Sequence, residues 1–312
     1  MSKLKGLLLT QGMHGMISQV EGLAKALDLD FAHHTVELSS LWKVIPPRLT
    51  PISQNVYKKI NHNEFDVIIS CGRKSVIPSI HLKNTANKKV FNIHIQDPKV
   101  DLNHFDFIVA PEHDSLNGQN VINTKGAIHY LTENEITENK HYLNSFIKND
   151  ERKIWTLIMG GPTKYYDYST KNMKHIFTSL YKLLKKHDFQ LVVIPSMRTP
   201  INTIHYAKEF FGDNHTIIMN VDKKAYLSAL ALAENIVVTC DSSSMISEAA
   251  LTGKPLYVAM IPPSKKDTRF QKFRKLFERM NVIREFDDKL EFWEYEKLDE
   301  TKRIAYELKK KL

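Results

Sequence analysis

No other part of this chain restricts its fold as strongly as residues 236–258, IVVTCDSSSMISEAALTGKPLYV. The β-branched apolar run at its start is typical of a buried strand, the serines can cap a helix, and Gly253 with Pro255 ends that helix before a second apolar run. The pattern predicts strand, turn, helix and strand. A helix that begins outside the carboxyl end of a parallel strand presents unpaired N–H groups and a positive dipole end to an anion.

Glu248 lies about one helical turn beyond the serines, where it can meet the hydroxyl groups of a ligand whose phosphate binds at the helix start. A phosphate and a ribose diol make a two-part ligand that fits this spacing. The alternative is an ordinary βαβ unit in which the serines only cap the helix and Glu248 is solvated. The stretch alone does not separate the two interpretations.

The chain has 312 residues, which is long for one hydrophobic core and natural for two domains. A hydrophobic fraction of 42% with 11 Gly and 12 Pro indicates a globular protein. The net charge of +9 suits a phosphorylated ligand or an anionic membrane surface; nucleic acid is not predicted, because no RNA-binding motif accompanies the charge. Cys71 and Cys240 form no metal or disulfide pattern and are expected to be buried thiols in a reducing compartment.

The apolar runs are too short to predict a signal peptide or a membrane span. Near the start only residues 7–9 are continuously apolar, and no cleavage site of small residues follows them. Nowhere does an apolar segment approach the ~20 residues that a spanning helix needs. We expect a cytoplasmic protein, with peripheral association at a membrane as the alternative.

The first half of the chain alternates strands with glycine-containing turns. A strand at 4–10, the turn GMHG and a helix at 16–27 open it, but GMHG is not the GxGxxG fingerprint, so an NAD site is not predicted. His14 in that turn is a candidate for the reaction centre, and its alternative is an exposed turn histidine. Arg73 and Lys74 follow a strand at 66–70, either as contacts to a phosphate or carboxylate or as solvated cations.

Two further strands, at 89–95 and 105–110, run into HIQDPK and PEHDSL. His94, Gln96 and Asp97 are predicted to cluster after the first of them, and His113 follows the second. Histidine titrates near neutral pH and a buried aspartate can be shifted upward, so these residues can supply a general base. The candidates for a catalytic base are Asp97, His14 and His113, in that order.

The second half is predicted to form another domain of the same kind. Polar residues 133–152 connect the two domains, and Gly160 and Gly161 follow a strand at 153–159, where they allow a ligand to approach the backbone. Thr163 is expected to cap the helix that begins after Tyr168. Arg198 follows a strand at 190–195 and is the preferred counter-charge for a nucleotide diphosphate.

The stretch DSSSMISEAALTGKP resembles the nucleotide-sugar half of GT-B glycosyltransferases. The ordered motifs GMHGMISQVEGLAKAL, ISCGRKS, HIQDP, FDFIVAPEHD and NVINTKGAIHYLT extend a resemblance to the Elm1 family over roughly residues 1–300. These bacterial and plant proteins are named for a mitochondrial fission factor and are GT-B-like. The chain departs from the family pattern at Met197, where the family has an arginine, and at Cys240, where a glutamate is usual.

The resemblance implies an α/β, GT-B-like fold with two Rossmann-like doubly wound domains that face a cleft. The N-terminal, acceptor-side domain would cover residues 1–135, the C-terminal, nucleotide-sugar-side domain residues 151–300, and a terminal helix at 301–312 can pack back on the first domain. A nucleoside diphosphate sugar would be the co-substrate, with no other cofactor and no metal. Its expected contacts are Gly160, Gly161, Thr163, Arg198, Ser242, Ser243, Ser244, Met245 and Glu248.

The resulting hypothesis is a metal-independent glycosyltransferase that uses a nucleotide sugar. The acceptor is unknown, and a membrane-associated glycolipid is one candidate. Two alternatives remain open: a non-catalytic adaptor that recruits a protein partner, as the plant family name implies, and a nucleotide-sugar epimerase. Fold alone does not separate an enzyme from an adaptor.

Overall fold

Two parallel β-sheets of six strands each organise the computed structural model, which describes residues 3–148, 151–287 and 289–312. The chain divides into two compact units. Unit 1 comprises Met1–Tyr130 with Asp299–Leu312, and unit 2 comprises Leu131–Leu298. The predicted connection at 133–152 includes residues 149 and 150, which lie outside the described residues, and its described part belongs to unit 2.

The strands follow the predicted alternation of apolar runs and polar turns. They are β1 (Lys5–Thr10), β2 (Asp30–Thr35), β3 (Val67–Cys71), β4 (Phe91–Ile95), β5 (Phe107–Pro111), β6 (Val121–Thr124), β7 (Ile154–Met159), β8 (Gln190–Pro195), β9 (Thr216–Ile217), β10 (Asn235–Thr239), β11 (Leu256–Ala259) and β12 (Ile283–Glu285).

The helices lie mostly between successive strands, as parallel sheets require. They are α1 (His14–Ala26), α2 (Val76–Asn84), α3 (Glu133–Glu138), α4 (Thr170–His187), α5 (Ile201–Phe211), α6 (Lys223–Leu232), α7 (Ser243–Ala250), α8 (Thr268–Arg279) and α9 (Glu300–Lys309).

In unit 1 the strand order is β2-β1-β3-β4-β5-β6, and every adjacent pair is parallel. The order reverses between β1 and β3, which makes a doubly wound sheet with its ligand crevice expected outside the carboxyl ends of those two strands. One face of the sheet carries an apolar cluster in which Ile304 and Leu308 of α9 pack with Leu23 and Leu27 of the α1 segment. The last helix therefore completes the core of unit 1.

In unit 2 the order is β12-β11-β10-β7-β8-β9, again with parallel neighbours. Here the order reverses between β7 and β10, so the crevice of this sheet lies at their carboxyl ends. Trp155 on β7 is fully buried and stacks on Phe189 and Tyr257, with ring centroids 5.7 and 5.5 Å away. The prediction of two Rossmann-like α/β domains is confirmed.

The prediction for Thr163 was wrong. Helix α4 begins at Thr170, and its cap is Ser169, whose hydroxyl accepts a hydrogen bond from the N–H of Asn172 at 3.4 Å. The hydroxyl of Thr163 instead accepts from the N–H groups of Tyr165 and Tyr166, at 3.1 and 3.2 Å. Thr163 therefore stabilises a tight turn upstream of the helix.

Within the described ranges, no helix combines the length and the apolar character that crossing a bilayer requires. Cys71 and Cys240 are both buried and not joined in a disulfide, as predicted. Burial raises the pKa of the Cys240 thiol to about 11, so it stays protonated near neutral pH.

Candidate functional site

The loops that follow β7, β8 and β10 converge on the side chain of Asp241. Its carboxylate is fully buried, and Oδ2 accepts hydrogen bonds from the N–H of Gly161 at 3.0 Å and from Arg198 Nη2 at 2.8 Å. The hydroxyl of Tyr168 donates to Oδ1 at 2.5 Å. One carboxylate thus joins three strand ends at the crevice of unit 2.

Arg198 is oriented through both of its terminal nitrogens. Nη1 donates to the carbonyl oxygen of Gly161 at 2.9 Å, while Nη2 donates to Asp241. A guanidinium has five N–H donors, so two such bonds leave donors over for an anion, and 42% of the side chain is exposed. The neighbouring Met197, which replaces the arginine of the family pattern, is exposed and supplies no second cation.

Gly160 and Gly161 are required by the packing of this network. A Cβ on Gly160 would lie 2.1 Å from Asp241 Oδ2, and one on Gly161 would lie 2.1 Å from the carbonyl oxygen of Arg198. Their N–H groups donate to Thr239 Oγ1 and to Asp241. The groups that approach these two glycines closely are therefore the protein's own. The missing side chains leave room for Asp241 and for the backbone of Arg198.

The N-terminus of α7 follows directly after Asp241. Ser242 caps it, because its hydroxyl accepts a hydrogen bond from the N–H of Met245 at 3.3 Å. Residues 242–245 are half-buried, so this first turn remains accessible. The early N–H groups of a helix have no intrahelical acceptor and favour negative charge. The predicted cap is confirmed, and the turn can receive a phosphate.

Glu248 lies further along α7, about 6 Å beyond Ser244 at the helical rise per residue. Its Oε2 accepts a hydrogen bond from the hydroxyl of Tyr226 on α6 at 2.8 Å. Burial raises the pKa of the carboxyl to about 7, and the Tyr226 hydroxyl bond only partly opposes that rise. Near neutral pH the carboxylate is half ionised, and a pair of hydroxyl donors would favour its charged form.

The candidate bases of unit 1 follow three different strands, β1, β4 and β5. His14 is exposed at the start of α1, with its ring edge-on to Tyr130 at 6.0 Å between centroids. Asp97 follows β4 and accepts hydrogen bonds from the N–H of Lys99 at 2.9 Å and from its Nζ at 2.5 Å. His113 follows β5 and is nearly buried, 3.7 Å from Asp114.

The strands that precede the three candidates are not all neighbours in the sheet. Adjacent strands lie ~4.8 Å apart, so the ends of β1 and β4, with β3 between them, are ~10 Å apart, and β5 lies one strand further. The three candidates therefore follow three different strands of the sheet. Of the three, His14 is the exposed one, and it lies at the crevice of unit 1.

His94 lies close enough to Asp97 to feel its charge, but it does not titrate near neutral pH. It lies on β4 within the core, and its Nδ1 is 2.8 Å from the hydroxyl of Ser70. Burial lowers the pKa of His94 to about 3, so the imidazole is neutral and structural. Arg73 is also engaged, because its Nη2 donates to the carbonyl oxygen of Ile45 at 2.6 Å.

Sequence reasoning missed Tyr168 and Tyr226 as parts of the site and gave Asp241 no role. Each of these contacts joins residues that are far apart in sequence, 73 positions for Tyr168 with Asp241 and 22 for Tyr226 with Glu248. A tyrosine in a loop or on a helix carries no local signal of such a partner. In the part of the chain that the structure describes, no group of three or more His, Cys, Asp or Glu side chains is placed to hold a metal ion.

The two doubly wound units define a GT-B-like protein. The structure of the UDP-GlcNAc 2-epimerase from Methanocaldococcus jannaschii matches with a TM-score of 0.53 at 12% identity, over 97% of this chain and 99% of that one. The UDP-GlcNAc 2-epimerase from Neisseria meningitidis, bound to UDP-GlcNAc, matches with a TM-score of 0.52 at 13% identity, over 99% and 100%. At these identities the likeness shows the fold alone.

The sequence comparisons identify the family. The model of the family described as Mitochondrial fission ELM1 matches residues 14–312, and the chain belongs to that family. Mitochondrial fission protein ELM1 of Arabidopsis thaliana is 26% identical over 274 residues, covering 79% of this chain and 64% of the plant protein. The chain thus spans less than two thirds of that relative's length. The Elm1 resemblance of the sequence motifs is confirmed.

Proposed function

We propose that this protein is a metal-independent glycosyltransferase that binds a nucleoside diphosphate sugar at the crevice of unit 2. The observation that carries the proposal is the arrangement around α7. An exposed and oriented cation, Arg198, joins the helix N-terminus at one end, and the carboxylate of Glu248 lies one turn further along. A diphosphate needs the first of these features, and a ribose diol needs the second.

The leaving group of the reaction would be the nucleoside diphosphate, on which negative charge develops as the sugar departs. Arg198 and the N–H groups of residues 242–245 would stabilise that charge through groups that are already oriented. Glu248 would accept hydrogen bonds from the ribose hydroxyls and fix the nucleoside. Asp241 would act as a positioning residue, since it orients Arg198 from below. Gly160 and Gly161 would keep the backbone close enough for this contact.

The acceptor and the general base are assigned to unit 1. His14 is the preferred general base among the three candidates, because it is exposed and follows β1, where the strand order of the sheet reverses. Asp97 is already hydrogen-bonded to Lys99, and His113 is nearly buried. A histidine placed beside the acceptor hydroxyl can act as the general base that accepts its proton. The acceptor class proposed is a glycolipid held at a membrane.

A uridine nucleotide is the first donor to test. The Neisseria meningitidis epimerase of the same fold is bound to UDP-GlcNAc, which supports UDP-GlcNAc as the probe. Isothermal titration with UDP, ADP, GDP and uridine would identify the base and the contribution of the diphosphate. We expect one nucleoside diphosphate to bind at least tenfold more tightly than its nucleoside, since a charge-assisted contact contributes about 1.5–3 kcal/mol. Equal affinity for a nucleoside and its diphosphate would contradict the proposed diphosphate site.

An epimerase is the second candidate, favoured by the names of the two structural matches. Incubation with UDP-GlcNAc in deuterated water separates the activities. Epimerisation removes a hydrogen from a carbon of the sugar ring, next to the anomeric carbon, and replaces it with one from the solvent, so deuterium enters the sugar. Transfer of the sugar to an acceptor in a lipid extract leaves that carbon–hydrogen bond intact. Binding of the nucleotide with neither exchange nor transfer would favour the non-catalytic adaptor.

A further inference from the structure

Residues 39–56 of unit 1 form a closed loop, which we call the apolar loop. An antiparallel bridge between Leu38 and Tyr57 joins its two ends, and the N–H of Ser39 donates to the carbonyl oxygen of Val56 at 2.9 Å. Pro47 is buried, and Trp42 packs against the apolar cluster of the sheet. The loop is therefore anchored to the core from within.

The outward side of the apolar loop exposes large hydrophobic side chains. The exposed fractions are 63% for Leu41, 79% for Val44, 66% for Leu49 and 38% for Ile52. Single exposed hydrophobic residues are ordinary on protein surfaces. Four of them within twelve residues of one loop are less usual, and exposed apolar surface concentrated in this way is typical of a site of interaction with another molecule or a membrane.

The charge of the apolar loop has one sign. Lys43 and Arg48 are exposed between the hydrophobic side chains, and the sequence from residue 38 to residue 63 contains no aspartate or glutamate. Lys59 adds a third exposed cation just beyond the loop, while Lys58 pairs with Glu37. Apolar side chains interleaved with cations match the interface of a bilayer with anionic headgroups.

The conformation of the apolar loop is set before any partner binds. Pro46, Pro47 and Pro51 each fix a backbone angle, and Arg73 donates from Nη2 to the carbonyl oxygen of Ile45 at 2.6 Å. A preorganised loop loses little conformational entropy on docking.

We propose that the apolar loop docks this protein on the surface of an anionic phospholipid membrane. Leu41, Val44 and Leu49 would enter the region of the headgroups, with Ile52 at its edge. Lys43 and Arg48 would contact the lipid phosphates. The inference does not depend on the nucleotide site, so it stands or falls separately from the proposed transferase activity.

The test is co-sedimentation of the full chain with vesicles, without nucleotide. Vesicles of phosphatidylcholine alone are compared with vesicles that contain about one third phosphatidylserine. We expect the wild-type protein to bind the anionic vesicles more tightly and to lose binding as salt is added. Lys43→Gln with Arg48→Gln should lower the partition coefficient about 30-fold, and Val44→Ser with Leu49→Ser at least about tenfold.

The matched control replaces exposed hydrophobic residues elsewhere. Val221→Ser with Phe292→Ser removes side chains of comparable exposure in unit 2 and should leave vesicle binding unchanged. Thermal unfolding of each variant confirms that it is folded. The proposal is overturned if the wild-type protein does not bind anionic vesicles. It is also overturned if the variant Val44→Ser with Leu49→Ser binds them as tightly as the wild type does. Sedimentation that shows loop-dependent dimers without vesicle binding would also overturn it.

Discussion

The ion pair of Arg198 with Asp241 is asymmetric: the carboxylate is fully buried, whereas the guanidinium side chain is 42% exposed, and Nη2 and Oδ2 are 2.8 Å apart. The buried negative charge is therefore paired with a cation that still faces solvent. An anionic ligand would meet a guanidinium that is already oriented, which lowers the reorganisation needed for binding.

Arg198→Gln should therefore weaken both ligand binding and the fold. Nucleotide affinity is expected to fall by about 1.5–3 kcal/mol for the diphosphate and little for the nucleoside, because only the diphosphate carries the charge. The free energy of unfolding should fall by about 2 kcal/mol, since Asp241 is left buried without its cation. Titration calorimetry and chemical denaturation measure the two effects.

The double variant Arg198→Gln with Asp241→Asn separates these effects. Removing the buried charge should recover much of the lost stability without recovering affinity for the diphosphate. If the double variant recovers both, Arg198 supports only local structure. An identical loss of affinity for diphosphate and nucleoside in the single variant would have the same meaning.

Gly160→Ala and Gly161→Ala should destabilise unit 2 strongly. In each case the new Cβ would lie 2.1 Å from an oxygen of the Asp241 and Arg198 network, and overpacking of this kind costs about 1–3 kcal/mol or more. Gly15→Ala is the matched control, because nothing lies within 4 Å of its Cβ position and it is helical. Gly15→Ala should be neutral or slightly stabilising. Equal unfolding midpoints for all three variants would contradict the packing described.

The titration of Glu248 predicts a pH dependence of stability. Its pKa rises from an ordinary value of 4.5 to about 7 in the folded protein, so the folded state holds this proton more tightly. The stability that Glu248 contributes is fully present below pH 4.5 and is lost as the pH rises through about 7. Glu248→Gln should gain stability relative to the wild type from about pH 5 to pH 8, by up to about 3 kcal/mol.

The same group should make nucleotide-sugar binding depend on pH. Affinity for UDP-GlcNAc is expected to rise from about pH 6 to pH 8 in the wild type, because hydroxyl donors prefer the ionised carboxylate. Glu248→Gln should show a flat profile, and the exposed control Glu278→Gln should follow the wild type. A wild-type profile as flat as that of Glu248→Gln would exclude Glu248 from the ribose contact.

His14→Ala tests the proposed base. If transfer from UDP-GlcNAc to a lipid acceptor is observed, His14→Ala should slow kcat about 10²- to 10⁴-fold while nucleotide affinity stays unchanged. Asp97→Asn and His113→Ala serve as the comparison, since they replace the other two candidates. Should Asp97→Asn be the slow variant instead, the order of candidates drawn from the sequence would be the correct one.

The periodic and buried elements could be read from the sequence, and the isolated polar contacts could not. The apolar run of β8 predicts Gln190–Pro195 as observed, and the serine turn predicts the cap at Ser242. The sequence analysis did not predict β2, because its residues DFAHHT lie at the sheet edge and are mostly polar or half-exposed. Helix α5 is not predicted either, because its sequence INTIHYAKEFF contains several β-branched and aromatic residues of modest helix propensity.

In the candidate site, too, contacts between residues far apart in sequence could not be predicted. The sequence predicts Gly160 and Gly161 at the strand end and near a ligand, but it gives no sign of their packing on Asp241, which lies 80 residues away from Gly161. The sequence predicts a helix cap at Thr163 because threonine favours caps, but Ser169, which caps α4, is equally suited. Residue type alone cannot choose between two such neighbours.

The packing of α9 on α1 has a consequence for biosynthesis. Unit 1 is discontinuous in sequence, because all of unit 2 lies between Tyr130 and Asp299. During translation the first part of unit 1 therefore emerges while the apolar side chains of Leu23 and Leu27 are still uncovered. Ile304 and Leu308, which pack against them, emerge only after all of unit 2. Unit 2 can fold during translation, whereas unit 1 must wait for its last helix.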